Sequence, residues 1–348
     1  MVTQHKAIGT VAMITPWNFP LSMITRKAGA ALAAGCGVLI KPSFLTPLSA
    51  IAWANICVEA NLPPELISIV TCSKKEDSII GDIFTQHPKI KMIGFTGSSG
   101  VGKMLYEKSG SRCKHVNLEL GGNAPFIIFE SSNLDDALKG LLASKFRCSG
   151  QTCISPNRLF VHTSIKERFI QMLAGEVSKM KISPGSNEGL APLISPQAVE
   201  RVEKMVNDSV QMGAKPIIEN SDINLGDYTG FFYPANILTN CTENMPIVKE
   251  EIFGPIIPVL EFTNEKEVIE KANNTEAGLA GYFYSKNIQQ IFRVARQLEV
   301  GMIGVNTGFI STAEAPFGGV KHSGIGREGG PDCLKEFMTT KYISLCSQ

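Results

Sequence analysis

Cys153 is the residue best placed to act as a nucleophile. It follows Gly150-Gln151-Thr152, a run of small and polar residues that presents a thiol on irregular backbone rather than in an apolar stretch. Glu119 lies between two leucines and directly before Gly121-Gly122. Apolar flanks raise a carboxyl pKa, which suits a general base, although a strand-edge ion pair would also explain a lone Glu. Asn18 sits in the proline-flanked turn Pro16-Trp17-Asn18-Phe19-Pro20, where a side-chain amide can donate to a developing oxyanion. Phe95 to Met104 forms a Gly-rich loop between strand and helix patterns, suited to a phosphate through backbone N–H groups and a helix N-terminus. Glu250 to Pro255 places a carboxylate two positions from an aromatic ring, an arrangement able to hold a ribose or simply to end a helix.

These residues need a scaffold, and the hydrophobic pattern supplies one. Strand patterns at 9–14, 37–41, 66–70 and 90–95 alternate with helix patterns at 22–34 and from Pro47 to about Ala60. That alternation predicts right-handed crossovers and a parallel sheet, with ligands at the carboxyl ends of its strands. This places Trp17, Asn18, Lys41 and the Gly-rich turn near one edge. A second alternation begins at Pro125: strands at 125–129 and 159–161, and helices at 134–146, after Ser164, and from Ser195 to about Met212. Residues 220–233 read as a polar surface loop. The tail strand at 341–345 stands alone in the pattern and predicts pairing with another subunit.

Composition narrows the function. The 348 residues allow two domains, and 44% hydrophobic with 19% charged residues fits a soluble globular chain. Lys+Arg of 33 against Asp+Glu of 32 gives no electrostatic call for nucleic acid or an anionic membrane. Nine cysteines, with no Cys-x-x-Cys pair and no metal-like His spacing, point to reduced intracellular thiols rather than a zinc site or disulfide framework. Gly97 to Lys103 nearly matches a nucleotide-hydrolase P-loop, but Met104 stands where a magnesium-binding hydroxyl belongs, which leaves that activity a remote alternative.

In combination the motifs resemble one family. Pro16 to Pro20, Lys41-Pro42-Ser43, the loop from Phe95 to Gly102, Glu119-Leu120-Gly121-Gly122, Gly150 to Cys153, Glu250 to Pro255 and Pro316-Phe317-Gly318-Gly319 occur in the order found in the aldehyde dehydrogenase superfamily. The resemblance runs from about Ile8 to the C-terminus. Within the superfamily the chain is similar to the succinate-semialdehyde dehydrogenases, through Met23 to Lys27, Lys145-Phe146-Arg147, Gly278 to Ser285 and Gly301 to Asn306.

The resemblance implies an α/β fold with two Rossmann-like parallel-sheet domains and a small oligomerisation strand. Its expected boundaries are a cofactor domain at 1–120, a catalytic domain at 121–322 and a tail at 323–348. It implies Cys153 as nucleophile, Glu119 as the base for thioester hydrolysis, and the Asn18 amide with the Cys153 N–H as oxyanion donors. NAD or NADP would be held by Trp17, Lys41, Ser43, Gly97, Ser98, Glu251 and Phe253. Many NAD-using members carry Glu three positions after the lysine; Phe44 stands there, so the choice of dinucleotide stays open.

Arg26, Arg147 and Ser311 match residues that bind the distal carboxylate of succinic semialdehyde, an intermediate of 4-aminobutyrate degradation. Ser155 replaces a second cysteine found in some relatives, which removes that disulfide switch, and Cys148 replaces the usual Asn, where a Cys148–Cys153 disulfide is one reading. The family builds a large segment ahead of the strand near Gly9. Without it the expectation is an incomplete cofactor domain, with a truncated, inactive isoform as the alternative, and a homo-oligomer (dimer or tetramer) if that segment is present. The resemblance leaves the mitochondrial matrix and the cytoplasm equally open.

Overall fold

The computed structural model describes residues 1–182, 189–218 and 229–346. It divides into two compact units, one of residues 1–120 with 311–348 and one of residues 121–310. Among the described residues no helix is long and apolar enough to cross a membrane.

In the first unit, β1 (Val2–Ala7) precedes β2 (Thr10–Ile14), β3 (Val38–Lys41), β4 (Ile67–Ile69), β5 (Ile90–Thr96) and β6 (His115–Glu119). The helices between them are α1 (Ser22–Ala33), α2 (Pro47–Glu59), α3 (Asp77–Gln86) and α4 (Ser99–Gly110). Strands β2 to β6 are parallel. Their spatial order is β6-β5-β2-β3-β4, so the chain runs outward from β2 in one direction and then returns to its other side. Such a reversal opens a crevice at the carboxyl ends of the two strands flanking it. Helix α1 buries Ile24, Ala28, Ala30 and Ala31 against Val11, Met13, Val38 and Ile40, which ties the sheet to its helical layer. Gly35, at φ 88°, ends α1 in the left-handed conformation that a glycine adopts without strain.

The C-terminal stretch belongs to this unit, unlike the expected division. Residues 311–322 group here rather than with the cysteine, and the tail is not separate. Gly324–Ile325 adds an antiparallel edge to β6. Met338–Ile343, expected to pair with another subunit, pairs antiparallel with β1 of the same chain, from Val2 opposite Ile343 to Ala7 opposite Met338. The cause lies just upstream: Phe337 is buried in the α1 core and its carbonyl accepts from the Ile8 N–H at 3.0 Å, which delivers the following strand to β1.

In the second unit, β7 (Ala124–Ile128), β8 (Pro156–His162) and the strands Asn236–Thr239, Ile256–Phe262, Ala280–Tyr284 and Met302–Val305 form a parallel sheet; a short Lys215–Pro216 strand adds an antiparallel edge. β7 is buried along its whole length, the mark of a strand covered on both faces. Helix α5 (Leu134–Lys145) opens on Asn133, whose side chain accepts from the Asp135 N–H, and leads into the cysteine loop. Of the 220–233 loop, residues 220–228 lie outside the described residues, and the remainder carries no helix or named strand.

Candidate active site

The cysteine loop is built by backbone strain. Cys148, Ser149 and Gly150 adopt three successive left-handed conformations, with φ of 51°, 53° and 80°. Gly150 is obligatory, because a Cβ there would lie 2.3 Å from the Gly254 carbonyl oxygen. Gln151 then anchors the turn. Its amide nitrogen donates to the carbonyls of Cys148 (3.1 Å) and Pro192 (3.3 Å), and its amide oxygen accepts from the Ile194 N–H (2.9 Å). Ser149 donates to the Ala191 carbonyl at 2.7 Å.

Cys153 emerges half-buried from this turn. Gly122 touches it from the other side: a Cβ at Gly122 would meet the Cys153 carbonyl oxygen at 2.4 Å. The Tyr282 hydroxyl donates to the Ile154 carbonyl at 2.8 Å, and burial first, then the Cys153 charge, pushes that hydroxyl's pKa far up, so it stays a neutral donor. Burial also raises the Cys148 thiol, against the lowering effect of Arg147. None of the nine cysteines forms a disulfide, so Cys148 and Cys153 are not joined. Arg147 is exposed at the head of this loop.

Glu251 and Phe253 lie in the same unit. A Glu251 carboxylate oxygen accepts from the Gly122 N–H at 3.1 Å. Burial raises its pKa to about 7, against the lowering effects of that bond, Arg201 and Lys145. Lys145, fully buried at the end of α5, is lowered to about 7 by burial, with Glu251 opposing. Asn157 and Arg201 hold the backbone in place. The Ile252 N–H donates to the Asn157 side-chain oxygen at 2.8 Å, and Arg201 donates to the carbonyls of Glu251 (3.0 Å) and Ile252 (2.7 Å). Phe253 follows at φ 50°. Sequence reasoning missed Lys145, Asn157 and Arg201; only their tertiary contacts mark them.

In the first unit, Glu119 ends β6 with 2% exposure, and neither carboxyl oxygen has a hydrogen-bond partner. Its pKa is pushed well above the ordinary carboxylate range, chiefly by burial and then by Glu328, while Lys27, Arg327 and Arg26 oppose the shift. Lys27 and Glu328, both buried, form an ion pair beside it, and Lys27 also reaches the Asn117 side-chain oxygen at 3.4 Å. Neither was predicted as a site residue. Lys27 occupies a buried position of α1 where the helical pattern calls for an apolar side chain, and that mismatch was the available signal.

Arg26 and Ser311, far apart in sequence, meet: the guanidinium donates to the Ser311 hydroxyl at 2.6 Å and lies over the Phe317 ring at 4.3 Å. The second terminal nitrogen of Arg26 is buried without a partner. Arg147, expected to share the same carboxylate, belongs to the other unit. The Asn18 side-chain oxygen accepts from the Phe19 N–H at 3.1 Å, which makes its NH2 the donating end.

The first unit suits an adenine dinucleotide. The hydroxyls of Thr15, just past β2, and Thr96, at the end of β5, are buried without partners at the carboxyl ends of the strands that flank the switch in strand order. Lys41, 4% exposed, ends β3, and the Ser43 hydroxyl accepts from the Leu45 N–H at 3.2 Å. Gly97 turns the chain between β5 and α4, where a Cβ would lie 2.5 Å from the Phe95 ring. Ser98 caps α4 with extended backbone and no side-chain bond to the helix, so the N-terminal N–H groups are available to a phosphate. Lys103, the lysine of the near P-loop, contacts His322 at 3.0 Å.

The sequence matches the aldehyde dehydrogenase family over residues 1–343. It is 46% identical to the mitochondrial succinate-semialdehyde dehydrogenase of Rattus norvegicus, over 97% of this chain and 64% of that protein. It is 43% identical to the succinate-semialdehyde dehydrogenase [NADP(+)] GabD of Escherichia coli (strain K12), over 99% of this chain and 71% of that protein. The crystal structure of succinate-semialdehyde dehydrogenase from Burkholderia pseudomallei superposes with a TM-score of 0.94 at 43% identity, covering 98% of this chain and 70% of that one. The chain thus spans under two thirds of the length of the rat protein.

Proposed function

Because the chain belongs to the aldehyde dehydrogenase family, we propose that it oxidises an aldehyde bearing a distal carboxylate, succinic semialdehyde, to the corresponding acid, succinate, with NAD or NADP. This family membership displaces the nucleotide-hydrolase reading. The single observation that favours a carboxylated substrate is Arg26: a guanidinium fixed by Ser311 and Phe317 that keeps one buried donor without a partner. A guanidinium in that state is matched by a carboxylate, which accepts from it with charge assistance.

In this reading the Cys153 thiolate adds to the aldehyde carbon, and the new oxyanion is held by the Asn18 amide and the Cys153 N–H. Trp17, Lys41, Ser43, the Gly97–Ser98 turn, Glu251 and Phe253 would hold the dinucleotide, which would supply the hydride acceptor for the Cys153 adduct and so leave a thioester on the cysteine. Glu119 takes the proton from a water that attacks the thioester carbon; the C–S bond breaks, the acid leaves and the thiolate returns. A carboxyl with a raised pKa is a stronger base once ionised, and burial supplies that strength here.

The test is formation of reduced dinucleotide with succinic semialdehyde and with butanal, which lacks the distal carboxylate. The reading predicts a kcat/KM for butanal lower by about 10²-fold, the loss of one charge-assisted pair. Equal kcat/KM for the two aldehydes would remove the carboxylate, and no turnover by the folded chain would remove the dehydrogenase.

A further inference from the structure

Lys41 ends β3 with its ammonium 2.6 Å from Oδ1 of Asp77, the first residue of α3. Lys41 is almost wholly buried, whereas Asp77 is 39% exposed, so the acid is the member of the pair that meets solvent. The same Oδ1 accepts from the Cys72 thiol at 3.3 Å. Burial raises the Cys72 pKa first and the Asp77 bond raises it further, which keeps the thiol a donor. The loop between them is stapled by a capping box, in which Glu76 accepts from the Ser73 N–H (3.0 Å) and hydroxyl (2.9 Å). Asp77 is thus held by a charge and a thiol on one oxygen, and its other oxygen is available to accept. Three residues past Lys41, where a ribose-binding acid would stand, Phe44 offers a partly exposed apolar ring.

We propose that Asp77 reads the adenosine ribose in this chain and selects NAD over NADP. This rests on the dinucleotide reading above and deepens it. A ribose 2′-hydroxyl can donate to the carboxylate. A 2′-phosphate brings up to two negative charges against it, and the lysine that would offset them is already committed to the same acid. The Escherichia coli relative, named for NADP(+), need not share this preference.

Calorimetric titration of the full chain with NAD, NADP, ADP and 2′,5′-ADP tests it. The expected result is NAD bound at least about tenfold more tightly than NADP, roughly 1.4 kcal/mol, and ADP bound more tightly than 2′,5′-ADP. In Asp77→Asn both preferences fall to near unity or invert, because the acceptor loses its charge and Lys41 is released. NADP bound as tightly as NAD by the parent, for instance through the neighbouring Lys74 and Lys75, would overturn the proposal. So would an unchanged ratio in folded Asp77→Asn. If that variant does not fold, the ADP and 2′,5′-ADP pair on the parent decides alone. Failure of this proposal leaves dinucleotide binding intact, whereas a folded parent that binds none of the four would bring down the dehydrogenase reading with it.

Discussion

The cysteine loop and the Glu119 cluster hold their reactive groups by opposite means. Cys153 is positioned by backbone: three left-handed residues, a Gly150 pressed on Gly254, and a Gly122 pressed on the cysteine's own carbonyl. Glu119 ends a regular strand, and its chemistry is set by charge and burial: no hydrogen bond, a neighbouring Glu328, and the Lys27 ammonium. The first arrangement should therefore be sensitive to a single added methyl group, and the second to a single changed charge.

The widest separation between the two comes from the reactive groups themselves. Cys153→Ala should reduce dinucleotide reduction to background, with no burst. Glu119→Gln should keep a burst of reduced dinucleotide and then turn over about 10²–10⁴-fold more slowly, as the thioester waits for a base. A variant with no burst would show that Glu119 acts before the thioester forms.

The same carboxyl gives the comparison a pH axis. Its folded-state pKa is raised, so the folded chain holds that proton more tightly than the unfolded one does. Its contribution to stability is complete below the ordinary carboxylate range and is lost as pH rises through the elevated value. With Glu119 as the proposed base, activity should move the other way and rise as the carboxyl ionises. Glu119→Gln should remove this component from a stability–pH profile measured by denaturant titration, becoming more stable than the parent on the alkaline side. A parallel fall in both proteins would assign the dependence to other groups, Glu251 with its value near 7 first among them.

Gly122→Ala tests the backbone half. The added Cβ meets the Cys153 carbonyl at 2.4 Å, and the loop must shift. A displacement near 1 Å costs about 10²-fold in rate. Thiol labelling should still find Cys153, since the residue is moved rather than removed. A variant with parent kcat would show that the loop is softer than its contacts imply.

The remaining effects fall on the charged half. Lys27→Met leaves Glu328 buried without its partner and should cost about 3–5 kcal/mol in urea unfolding. Arg26→Lys keeps the charge but loses the planar fork. It should raise KM for succinic semialdehyde about tenfold with little change in kcat, and barely affect butanal.

Much of this was legible from residue order. Parallel strands β2 to β5, α1 ending at Gly35 and α2 opening at Pro47 follow from hydrophobic period, a C-terminal glycine and an N-terminal proline, all of which act within a few residues. The cysteine after Gly150-Gln151-Thr152 and the Glu before a double glycine stood out for the same local reason.

What stayed hidden depends on distant partners. Nothing near Met338 announces that it pairs with Ala7, because Phe337 is drawn into a core made mostly by the first 60 residues. The ion pair of Lys27 with Glu328 closes across 301 residues and the bond from Arg26 to Ser311 across 285, between segments unrelated in pattern. Lys41 could be picked from Lys-Pro-Ser, but its engagement with Asp77 could not. By itself, then, the order of residues determined which elements form and which side chains are able to react, since propensity and motif are short-range. The tertiary structure alone decided which charges those side chains face, since burial and charge pairing exist only once separate segments have packed.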